Sequence, residues 1–269
     1  MIRFLILSAL LGTAFTVQPA VGASSAWVAT EGGDIRLVVD DQPAEDGVLK
    51  GALEILLKPG WKTYWLDPGD AGVPPQIDVG ASRDVSTARF LFPAPERFDD
   101  GYAVWAGYKH QISLALEFAI GRAPLIEADV FLGICETICI PVSARFTVDP
   151  SASGASSSDA AAVAAAFAAL PGMERDDFAV RRLDEEKPAV LRASVALPRP
   201  DEEATLFMAS GDGWYFGTPV FRRDETGPGF DIPLLDRPKE PAAAEFFYTL
   251  VSEEGAVSGH IDAPAVSSD

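Results

Sequence analysis

The sequence is poor in the side chains from which most metal and catalytic centres are built. It holds two histidines, two cysteines and three methionines in 269 residues. His110 and His260 fall in different halves of the chain, and neither stands at ligand spacing to a cysteine. Two thiolates supply only half of a tetrahedral set, so no metal and no cofactor are expected. No G-x-S-x-G, P-loop, H-E-x-x-H or thioredoxin-type C-x-x-C motif occurs, which argues against the chemistries those motifs serve. Positive charge is scarce too, with 21 basic against 40 acidic residues and a net charge of −19. Such a surface disfavours nucleic acid and anionic membranes as partners. Beyond the N-terminus no stretch approaches the ~18 apolar residues of a membrane span.

The N-terminus is different. Arg3 precedes an apolar run from Phe4 to about Phe15, and small residues follow, with Val21 and Ala23 at the −3 and −1 positions of a cleavage site. This order of features predicts a signal peptide over 1–23 and an exported protein, periplasmic in a bacterium. In an oxidising compartment two nearby thiols tend to pair.

The rest of the chain predicts an all-β protein. Alternating apolar residues mark strands at 34–40, 52–58, 111–120 and 144–149, and again at 190–197, 204–210 and 245–252, with Pro/Gly/Asp turns between them. Many short strands without intervening helices predict two β-sandwich, immunoglobulin-like domains, at 24–150 and 173–269. The Cys…Trp…Cys spacing of antibody domains is absent. Between them, 151–172 opens as a Ser/Gly/Ala linker and continues as an alanine-rich helix over 160–170, with Asp159 as N-cap and Pro171-Gly172 as its stop. So flexible a connection predicts independent unfolding of the halves, unless an apolar interface joins them.

The two cysteines lie in "FLGICETICIPV", 131–142. If Glu136-Thr137-Ile138 is a three-residue hairpin loop, Cys135 and Cys139 face each other at strand-pair distance, about 4.5–5.5 Å between Cα atoms, within disulfide range. A loop that short gains little from being closed, so a redox-active disulfide is favoured over a structural one or a metal site. Cys135 ends an apolar strand beside Glu136, and both neighbours disfavour its thiolate. Cys139 is expected to be the more exposed sulfur, the one that partners attack. Two aromatic clusters carry either a core or a shielding reading: Trp61, Tyr64 and Trp65, before a turn with Asp67 and Asp70, and Tyr102, Trp105 and Tyr108.

Three motifs, "PGWKTYWLDPGDAGVPP", "FPAPERF" and "CETICIPV", occur in an order that resembles the N-terminal periplasmic domain of the thiol–disulfide interchange protein DsbD family, in its ScsB-like (suppressor of copper sensitivity) form. The resemblance implies an immunoglobulin-like domain acting as a thiol–disulfide oxidoreductase. Cys135 and Cys139 would be its redox pair, with Cys139 forming the mixed disulfides. Its partners would be thioredoxin-like or other periplasmic disulfide proteins and a separate membrane-embedded electron donor, since family members usually continue into a membrane domain and this chain stops at Asp269. The DsbD type spaces its cysteines further apart, so its shielding loop need not carry over. The competing expectation is an exported binding or adaptor protein with a vestigial disulfide, linked to copper tolerance.

Overall fold

The computed structural model describes residues 22–44, 46–69, 72–99, 101–152, 156–187, 189–199, 201–209, 213–238 and 244–264. The expected signal segment lies almost wholly outside them, as does Asp70. Ala23 is described: it is buried in the first strand, opposite Val39.

In chain order the first half contains β1 (Gly22–Ser24), β2 (Val28–Ala29), β3 (Gly33–Asp40), β4 (Val48–Leu57), β5 (Lys62–Gly69), β6 (Gln76–Asp78), β7 (Arg83–Leu91), β8 (Glu96–Asp99), β9 (Val104–Tyr108), β10 (Ile112–Cys135) and β11 (Cys139–Val148). After α1 (Ser157–Ala168) come β12 (Gly172–Met173), β13 (Ala179–Lys187), β14 (Val190–Ala196), β15 (Thr205–Ala209), β16 (Tyr215–Phe216), β17 (Val220–Asp224), β18 (Gly227–Asp236), β19 (Glu245–Ser252) and β20 (Gly255–Asp262). The expectation of an all-β chain with one short helix holds among the described residues.

β10 organises the first half. Leu114, Leu116 and Phe118 alternate inward along its start, and Ile126, Ala128, Val130, Leu132 and Ile134 along its end. Its first part pairs with β4 and β7, its second with β11, β6 and β5. The sequence reading ends this strand at Ile120 and resumes near Val130. The exposed Gly121-Arg122-Ala123 and Pro124 look like a turn, but the chain passes them as an irregularity in the pairing with β7. A ladder can absorb unpaired residues as a bulge without ending. Both parts of β10 bury their inward residues in one core with Ile35, Leu37, Leu53 and Phe146.

The second half forms two sheets, β12-β20-β19-β15 and β13-β14-β18-β16, with β17 also on β18. They enclose a second core that includes Leu191, Phe230, Ile232, Phe246, Tyr248 and Leu250.

Two contacts tie the halves together. Helix α1 lies on the first half, where Ala166 packs with Ala52 and Ala115. Its N-cap is Ser156, not Asp159: Ser156 is extended, and its Oγ accepts the Asp159 N–H at 3.1 Å. This leaves the buried Asp159 carboxylate free to accept from Ser24 Oγ at 3.0 Å and to meet Arg36 at 3.4 Å. In the second contact Phe207 and Ala209 of β15 join the first core, and Trp65 lies 5.7 Å from Phe207 and 6.2 Å from Phe247, ring to ring. Arg97 stacks over Phe207 and donates to the Leu206 carbonyl at 2.7 Å, and its burial lowers its pKa to about 10. The linker alone predicts independent halves; the apolar interface is the exception that applies.

Candidate redox site

Cys135 ends β10 and Cys139 begins β11, directly paired in the antiparallel register, with Glu136-Thr137-Ile138 as the exposed connection. Their Cα atoms are 4.1 Å apart and the sulfurs are joined. The two ends of the bond differ in environment. Cys135 is 1% exposed, whereas Cys139 is exposed, beside an Ile138 that is 73% exposed. The two cysteine residues therefore differ in burial.

The buried side is built by β5 and β9. Cys135 pairs with Lys62, and Ile134 with Thr63, whose hydroxyl donates to the Gly133 carbonyl at 2.9 Å. Strand alternation then puts Tyr64, two residues after Lys62, on the face that carries Cys135. Cys135, Tyr64 and Trp105 form one buried cluster, with Phe98 packed against it. Tyr64 meets Trp105 edge to face at 5.7 Å, and Phe98 stacks on Trp105 at 4.3 Å.

The Tyr64 ring occupies a slot cleared by glycines. A Cβ on Gly72 would stand 2.7 Å from its Cδ1, and one on Gly133 would stand 3.3 Å from its Cδ2. So held, the Tyr64 hydroxyl reaches Cys139 Sγ at 3.0 Å. A disulfide sulfur has no proton, so the phenol is the donor. The same O–H can donate to a thiolate, and hydrogen bonding to the charged form favours it.

Two cations complete the surroundings. Lys62 Nζ lies 4.3 Å from the Trp105 ring centre, and Lys109 Nζ lies 4.0 Å from that of Phe98 and 5.3 Å from that of Trp105. The turn before β5 also approaches the hairpin: Gly60, at φ +88°, has Glu136 Oε1 3.5 Å from where a Cβ would be.

The remaining aromatics divide. Trp65 faces the second half and Trp61 packs partly buried on the first core. Tyr108 is a core residue whose hydroxyl donates to the Pro93 carbonyl at 2.8 Å, and Tyr102 is fully exposed. Of the later group only Trp105 touches the sulfur cluster, joined by Phe98, which the sequence reading did not single out. Lys62 and Lys109 were not singled out either. Among the described residues no group of three or more His, Cys, Asp or Glu side chains is placed to hold a metal ion, and no helix is long and apolar enough to cross a membrane.

The site is thus a disulfide at a hairpin tip that joins a buried cysteine to an exposed one, with a phenol donor beside the second. Residues 36–150 match the family model described as thiol:disulfide interchange protein DsbD, N-terminal. The fold is similar to the crystal structure of the N-terminal periplasmic domain of ScsB from Proteus mirabilis, with a TM-score of 0.74 at 18% identity, over 91% of this chain and 100% of that one. So broad a match takes in the second half as well as the first. No curated protein matches the chain.

Proposed function

We propose that the chain is a periplasmic thiol–disulfide interchange module, passing reducing equivalents through Cys135 and Cys139 from a membrane-embedded donor to exported disulfide proteins, on an immunoglobulin-like domain. The observation that carries this reading is the divided environment of one bond: an exposed Cys139, with the Tyr64 hydroxyl 3.0 Å from its Sγ, joined to a buried Cys135. In oxidation of the reduced module, the Cys139 thiolate attacks a partner disulfide and forms a mixed disulfide, and the partner's second sulfur leaves as thiolate. Cys135, losing its proton, then attacks Cys139 Sγ, which closes the intramolecular bond and releases the reduced partner.

Stability argues against a staple. With three residues between the cysteines, closing the loop removes unfolded-chain entropy equivalent to only about 2 kcal/mol, against about 4.7 kcal/mol for a 100-residue loop. The test is the reduction potential of the pair, measured by equilibration with glutathione or thioredoxin-type buffers. A value within the range of known exchange proteins, above about −300 mV, is expected; a value well below it would assign the bond to structure and sink the reading.

A further inference from the structure

We infer that the redox face selects for negative charge, so that the proteins exchanging with Cys139 carry carboxylates around their own reactive sulfur. The inference rests on the interchange reading above and adds to it the chemistry of the partner.

The chain carries −19, yet three of its six lysines gather at one end of the first half. Lys62 is the strand partner of Cys135, and the next position, Thr63, pairs with Tyr108, which brings in Lys109, just past the end of β9. Their ammonium groups lie over the Trp105 and Phe98 rings, and Trp105 belongs to the buried cluster of Cys135 and Tyr64. Cation–π contact holds these charges at the site rather than leaving them to sweep solvent. Lys58 opens the turn that approaches the hairpin, and its Nζ donates to the Glu31 carbonyl at 2.7 Å. Glu136, on the hairpin itself, opposes them. Salt screens exposed charges beyond about 8 Å. Charges held near the hairpin therefore weigh more at the sulfur than those spread over the rest of the chain. Charge of opposite sign in an approaching partner raises the rate of encounter and fixes its orientation.

Small thiols test this without any partner in hand. Their thiolates carry different net charges: about −2 for glutathione, −1 for 2-mercaptoethanol and 0 for cysteamine. Each attacks Cys139 Sγ, forms a mixed disulfide there and expels the Cys135 thiolate, which takes up a proton. The measurement is the rate of opening of the full oxidised chain, normalised to thiolate concentration, in low salt and in about 1 M salt, where the screening length falls to about 3 Å. We expect glutathione to lead cysteamine by about three- to tenfold in low salt, with the gap closing in high salt. Lys109→Gln, and more so Lys62→Gln with Lys109→Gln, should erase the order, whereas Lys187→Gln, the same charge change in β13, should keep it. Equal rates for the three thiols, or an order unaltered in Lys109→Gln and in the double variant, overturns the inference and leaves interchange standing. If none of the thiols opens the bond, the interchange reading fails and takes the inference with it.

Discussion

Two buried tyrosines, one in each half, show how similar scaffolds come to differ in chemistry. Tyr248 on β19 is fully buried, and its hydroxyl accepts the Val180 N–H at 3.2 Å and donates to Glu174. Burial, and then Glu174, raise its pKa. Every capacity of that oxygen is used to hold chain to chain. Tyr64 on β5 is as deeply buried, but its hydroxyl ends on Cys139 Sγ, an atom of an exposed residue. The same side chain is thus a tie in one half and a donor to a disulfide sulfur in the other. The difference arises from the neighbours: glycines clear the Tyr64 slot and the β10–β11 hairpin brings sulfur to its tip.

The sharpest way to break this comparison is to remove the sulfurs one at a time. Cys139→Ser should abolish thiol transfer. Cys135→Ser, mixed with an oxidised partner, should accumulate a trapped mixed disulfide that Cys139→Ser does not; equal trapping by both would cancel the assignment of roles. The next largest effect is expected at the interface. Phe207→Ala should cost about 3–5 kcal/mol as for other buried aromatics, and should split thermal unfolding into two transitions, read by calorimetry. A single, barely shifted transition would mean that the halves are not coupled through Phe207.

The tyrosines themselves can then be exchanged for phenylalanine. Tyr248→Phe should destabilise by about 1–3 kcal/mol, because the Val180 N–H and Glu174 lose their buried partner, and should leave exchange rates unchanged. Tyr64→Phe should show the reverse, with a stability change under about 1 kcal/mol and a Cys139 thiolate about 0.5–1 pH unit harder to form, followed by thiolate absorbance or alkylation rate against pH. If both variants lose only stability, Tyr64 is a tie as well. Opening the bond in the wild type should also have a limited effect: reduction should lower the melting temperature by no more than about 8 °C, given the short loop.

Much of the site was legible because it is local. Apolar residues before Cys135, a polar three-residue connection and a second strand after Cys139 define the hairpin and its opposed sulfurs without any distant contact. What lay beyond reach is non-local. The pairing of β5 with the end of β10, which sets Lys62 opposite Cys135 and aims Tyr64 at sulfur, leaves no trace in periodicity. Tyr64 and Trp65 stand in one aromatic cluster and go to opposite faces; Tyr102 and Trp105 look alike in sequence, yet one is fully exposed and the other 2% exposed. The cap of α1 failed as an expectation because Asp159 and Ser156 are both good capping residues, and only the fold shows that Asp159 is taken by Ser24 and Arg36.

β5 carries a constraint of parity. Tyr64 on one side donates to Cys139, and Trp65 on the other fills the joint with Phe207 and Phe247. Adjacent side chains on a strand point to opposite faces, and a slip of one residue exchanges every assignment. Sliding β5 by a single position would hand an indole to the sulfur and a phenol to the joint, undoing both at once. An inserted or deleted residue between Lys62 and Trp65 should therefore be far less tolerated than most substitutions there, since one error would register in chemistry and in assembly together.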